Sequence, residues 1–217
     1  MKFLFLFLIC NILSSNTVVI AHQNAEEVMF QDNQIVIRHK AEQLIKAFQE
    51  LSSSRFTVKS QQNYFEAFPN NFVLFNMLFG YSDKEPFGEP TTEFERLLYK
   101  EAESFIPTFF KLNGIDKTQY YNRIIDISIN GRWYADGVNY FQHGMVEKVN
   151  GDLNLFCKLL SKRGKKEIIS FWYFYFDGPH PIKQIPKELQ NVKRNNPKLF
   201  YLIELALIQV NQTWKEN

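Results

Sequence analysis

At 217 residues the chain is the size of one domain, and 25 Lys and Arg against 23 Asp and Glu leave it at +2. That balance lacks the basic excess on which nucleic-acid binding rests, so no nucleic acid is expected as a partner. Of the two cysteines one is Cys10, so removal of a leader would leave Cys157 alone and exclude an intrachain disulfide.

The first 21 residues have the form of such a leader. Lys2 supplies one positive charge, Phe3 to Ile9 is apolar, and Ile12 and Leu13 extend the run. Val19-Ile20-Ala21 places tolerated residues ahead of a cleavage before His22. Asn11, Ser14, Ser15 and Asn16 interrupt the apolar run, which falls short of the roughly 20 residues a membrane span needs. Cys10 does not read as a lipidation site, because Ile9 stands where a small residue is wanted. The expected organisation is a secretory signal peptide over 1–21 and one helical domain over 22–217. An export signal without disulfides fits a bacterial periplasmic or secreted protein.

Val28, Ile35, Leu44, Ile45, Phe48 and Leu51 give residues 25–51 a helical period, ended by Ser52-Ser53-Ser54. A break near Asp32-Asn33 and a short β-like patch at Ile35-Val36-Ile37 interrupt that reading. Pro69 suits the first turn of a helix carrying Phe72, Phe75, Met77, Leu78 and Phe79, closed by Gly80. Tyr81 to Thr92 is the longest loop, and Thr92 with Glu95 has the spacing of a capping box. The helix that follows carries Phe94, Leu97, Leu98, Ala102 and Phe105, and Pro107 must kink or restart it.

Asp116 caps a helix whose inward residues are Tyr120, Tyr121, Ile124, Ile125 and Ile127. Asn130-Gly131 then reads as a helix end with glycine at C′, with a short β-hairpin as the alternative. Asp136 caps a helix through Val138, Tyr140, Phe141, Met145 and Val149, and Asp152 caps a short one through Leu160. Next comes Phe171-Trp172-Tyr173-Phe174-Tyr175-Phe176, six aromatics in a row, followed by Asp177-Gly178-Pro179-His180-Pro181. Lys165 to Ser170 suits a helix start and Gly178-Pro179 a helix end, so the row reads as a helix and its tail as a stiff corner. Residues 187–192 suit a turn or two, and Pro197 opens a last segment, Leu199 to Val210, apolar nearly all round and hence buried. The expected fold is all-α, a single compact domain of about eight helices around an aromatic-rich core.

The 22 Phe and 10 Tyr are what an AT-rich coding sequence gives, so only local clusters carry weight. Charge is uneven. Residues 83–103 are rich in acids, and Lys158 to Lys198 holds ten bases against three acids. Gly-rich phosphate loops, HExxH, GxSxG and paired metal-binding cysteines are absent from the sequence. Cys157 lies in the apolar run Leu155-Phe156-Cys157-Lys158-Leu159-Leu160, the setting of an inert thiol.

One polar constellation stands out. Asp136, Asn139, Tyr140, His143 and Glu147 recur at spacings that put them on one helix face. Asp177 and His180 are the groups that could approach it from the corner. Asp136, His143, Asp177 and His180 are therefore the candidate catalytic set for a metal-dependent or acid–base hydrolase. Trp133, Tyr134, Tyr140 and Glu147 are candidate binding residues, and Trp133, Tyr134 and Trp172 would serve a sugar or small-molecule binder. No metal or other cofactor is expected. The export signal, the missing catalytic motifs and the charge asymmetry favour a third expectation over both. It is an exported, non-enzymatic protein that binds another protein, such as an immunity or inhibitor protein neutralising a toxin or effector. Stable membrane insertion is not expected.

Overall fold

The computed structural model describes residues 35–80, 98–134 and 136–216. The leader, the break at Asp32-Asn33, the Tyr81–Thr92 loop and the Thr92–Glu95 capping box lie outside the described residues. The chain divides into two units, Met1–Lys40 and Ala41–Asn217. In the first, residues 35–40 are helical, so Ile35-Val36-Ile37 is no strand. The second unit carries the buried core.

The described residues are all-α, with no strand among them. The helices are α1 (41–53 within this unit), α2 (Val58–Ala67), α3 (Phe72–Phe79), α4 (Ala102–Phe110) and α5 (Lys117–Ser128). They continue with α6 (Asp136–Gly151), α7 (Leu153–Leu160), α8 (Lys165–Phe176), a 3-10 turn at Lys187–Leu189, α9 (Gln190–Asn195) and α10 (Pro197–Glu216). No described helix is long and apolar enough to cross a membrane.

The aromatic row is helix α8, and all six rings are buried. A helix buried all round needs neighbours on every side. Helices α5, α6 and α10 supply them, α10 most extensively. Phe141 of α6 is the meeting point of the core. Its ring centroid lies 5.0 Å from Phe75, 5.2 Å from Phe110 and 6.3 Å from Phe174, which joins α3, α4 and α8. Fully burying one such side chain is worth roughly 1.5–3 kcal/mol. A dozen large, fully buried side chains, nearly all Phe, explain how the fold is held with Cys157 unpaired.

Helix ends are satisfied from neighbouring helices. The carbonyls that close an α-helix have no partner inside it. Arg123 donates to the carbonyls of Phe65 and Phe68 at the end of α2, at 3.0 and 2.9 Å. Tyr120 Oη donates to Phe109 O at 3.0 Å, and Gln142 Nε2 donates to Phe174 O at 2.7 Å. Burial pushes the Tyr120 phenol up, so it remains a protonated donor. Gln61 ties two loops together: its Nε2 donates to Phe56 O, and its Oε1 accepts from the N–H groups of Asn113 and Gly114, each at 2.8 Å.

Several sequence expectations are corrected. Helix α2 was not foreseen. The chain enters it through Arg55 and Phe56, both at positive φ (53° and 59°), and neither is a glycine that would mark the turn. Thr57 then accepts from Ser60 N as its N-cap. Pro69 lies ahead of α3, whose cap is Asn71, with Oδ1 accepting from Leu74 N at 2.9 Å. Pro107 sits inside α4 without ending it. The carbonyl it deprives of a partner, that of Glu103, belongs to an exposed residue that water can serve.

Asn130-Gly131 makes no hairpin. Asn130, not Gly131, takes the left-handed position after α5 (φ 63°), and Gly131 N donates to Ser128 O. Gly131 is small for another reason: a Cβ there would stand 2.6 Å from Phe174 Cδ2. Asp152 precedes α7 but makes no side-chain cap, because its carboxylate pairs with Lys117 Nζ at 2.7 Å. The last helix is longer than expected and only half buried. Leu199, Phe200, Ile203, Ala206, Leu207 and Val210 face inward, while Tyr201 and Ile208 are more than half exposed.

Candidate functional site

Helix α6 places the polar constellation as its spacing implies. Asp136, Asn139, His143 and Glu147 are exposed and Tyr140 is half-buried, opposite the buried Phe141 and Met145. Asp136 is the first residue of α6, and its Oδ2 accepts from Tyr99 Oη at 3.0 Å. Among the described residues no group of three or more His, Cys, Asp or Glu could hold a metal ion.

Asp177 reaches α6 from another side. Its carbonyl accepts from Gln142 Nε2 at 3.0 Å, and Gln142 points roughly 100° round the helix from His143. Its carboxylate is fully engaged. Oδ2 accepts from Trp133 N at 2.7 Å, and Oδ1 accepts from Gly178 N at 3.0 Å and Trp214 Nε1 at 2.9 Å. Asp177 therefore fastens three segments: the stretch before α6, the corner after α8, and the last turns of α10. Ile182 N closes the corner on Phe176 O at 3.0 Å. Pro179 and His180 at its tip are exposed. Nothing in the sequence links Asp177 to Trp214, 37 residues away, so that contact was not foreseen.

The aromatic candidates part company. Trp172 is fully buried between Phe171 and Tyr175, both 5.2 Å away by ring centroid, so it lines no open cleft. Trp133 and Tyr134 are half-buried, and Trp133 packs 6.4 Å from Trp214. Arg132 stacks over Tyr173 at 3.9 Å. A shallow polar groove of about 330 Å³ lies elsewhere, between α1 and α2, lined by Lys46, Glu50, Asn63 and Glu66 among others. It holds none of the candidates.

Cys157 is half-buried, and burial pushes its thiol up to about 11. A thiol is nucleophilic only as its thiolate. Alkylation by iodoacetamide at pH 8 is therefore expected to run on the order of 100-fold slower than for an ordinary cysteine. The rate should keep climbing as the pH approaches 11. A plateau below pH 9, followed by mass spectrometry, would contradict it.

The most distinctive surface was visible in the sequence only as a run of bases. Trp214 near the end of α10 bonds to Asp177 at the end of α8, and Asn196 before α10 bonds to Ser161, shortly before α8 begins, at 3.2 Å. The two helices therefore run parallel, with both N-termini at one end. That end carries exposed Lys162, Lys165, Lys166, Lys193, Arg194 and Lys198. Of the acids around it, Glu167 caps Gly164 N at 2.9 Å, Asp126 pairs with Arg163 at 2.8 Å, and Glu204 stands half-buried further along α10, between Tyr201 and Ile208. Helix N-termini favour anions. Lys165 and Lys166 in the first turn of α8, and Lys198 in that of α10, add positive charge where the fold gains nothing from it. The outward face of α10 continues from this end as Tyr201, Leu205 and Ile208, with Tyr201 and Ile208 58% and 51% exposed.

Compared with protein-family models, curated proteins and solved structures, the chain matches none.

Proposed function

We propose that the chain is an exported, non-enzymatic protein that works by binding another protein, of the kind that neutralises a toxin or effector. The observation that carries this reading is the surface made by α8 and α10. It joins lysines that oppose the helix dipoles to apolar side chains left in water, and neither helps the isolated fold. The leader over residues 1–21 supports export, with cleavage before His22.

Two measurements test the reading. The N-terminus of protein recovered from the producing cells should be His22, and recovery with Met1 intact from the cytosol would count against export. A photo-crosslinking residue at Tyr201 should yield one discrete protein adduct in those cells, whereas the same residue at Gln62 of α2 should yield none. A smear at both positions, or no adduct at either, would sink the binding reading.

A further inference from the structure

Resting on that reading, we infer that the partner is an acidic protein segment, seated across the N-terminal ends of α8 and α10 and along the outward face of α10. The chemistry of the surface selects it. Five of the six cations are lysines, strongly hydrated point charges on flexible stems. They suit dispersed carboxylates better than the planar, two-pronged recognition that arginine provides. Lys198 and Ile208 lie roughly 15 Å apart along the helix, so a segment of a few turns would meet both charge and apolar side chains.

The chain's charge balance disfavours nucleic acid, since 25 Lys and Arg against 23 Asp and Glu lack the basic excess such binding rests on. The outward face of α10 offers a bilayer only Tyr201 and Ile208 more than half exposed, short of the apolar face an interfacial helix buries.

The experiment uses the mature chain and three labelled probes. One is a helical peptide with Glu and Asp around leucines at i, i+4 and i+7. The others are phosphatidylglycerol vesicles and a single-stranded DNA oligonucleotide. The variant K165E/K166E/K198E should retain its fold, because acids suit helix N-termini. It should bind the peptide about 10-fold or more weakly than wild type. Tyr201→Ser with Ile208→Ser should weaken binding severalfold. The charge-matched variant K46E/K59E/K111E, on exposed lysines elsewhere, should bind like wild type. Raising salt from about 20 to about 300 mM should remove most of the wild-type affinity. Equal loss in the two triple variants, preference for vesicles or DNA, or no binding to any probe would each overturn the inference. A cellular adduct captured through another face would preserve the binding reading and discard this surface. Peptide binding without a cellular adduct would preserve the surface and discard the reading.

Discussion

Gly144→Val is expected to lower the unfolding free energy by about 3 kcal/mol or more, the upper range for overpacking a core. Gly144 lies on the buried side of α6, where α4 crosses it. Even a single Cβ there would fall within the Phe110 ring, 2.5 Å from Cγ. That ring has little room to move, with Phe109 at 5.3 Å and Phe141 at 5.2 Å. Valine also brings two methyl groups. The contrast is Gly151→Ala on the same helix, where a Cβ meets nothing within 4 Å. That change should be neutral or should stabilise by about 0.5–1 kcal/mol, by restricting the unfolded chain. Urea unfolding of the pair separates close packing from glycine's general cost in a helix. Similar midpoints for both variants would show that α4 and α6 do not meet at Gly144.

Asp177→Ala is expected to cost about 2–3 kcal/mol, because it strips the acceptor from three N–H donors in a partly buried corner. His180→Ala, three residues on, should stay within about 0.5 kcal/mol of wild type, as exposed positions do. Asp177 and His180 both lie in the corner that follows α8, and by sequence either could fasten it. The structure gives that task to Asp177, with Gln142 and Trp214. Thermal melts of both variants decide it, and a wild-type melt for Asp177→Ala would overturn this account. Tryptophan fluorescence offers a second check, since loss of the carboxylate should leave the Trp214 indole N–H bonded to water alone.

Local chemistry made much of the fold legible. The Asp116 cap, the inward row from Tyr120 to Ile127 and the aromatic helix follow from short-range pattern, and the structure has them. What escaped were features set by distant partners. Helix α2 is polar on average and opens on two residues in a conformation usually marked by glycine. Gly144 reads from sequence as a neighbour of His143, and only the approach of Phe110 shows why it is small. The lysines of the basic end lie in four separate elements, and their convergence depends on α8 and α10 being parallel. The face of α6 that carries His143 was legible, but the side of α6 that Asp177 meets was not. No periodicity encodes where a corner lands.

Parallel neighbours also impose an order of events on synthesis. The segment from Asp177 to Asn196 must return the length of α8 before α10 can begin, and forty residues separate Phe176 from Glu216. At roughly 5–20 residues per second a ribosome takes about 2–8 s to cover that distance. Throughout that interval α8 lacks the helix that covers it most extensively. The aromatic row can therefore reach its final packing only after the chain is made through α10.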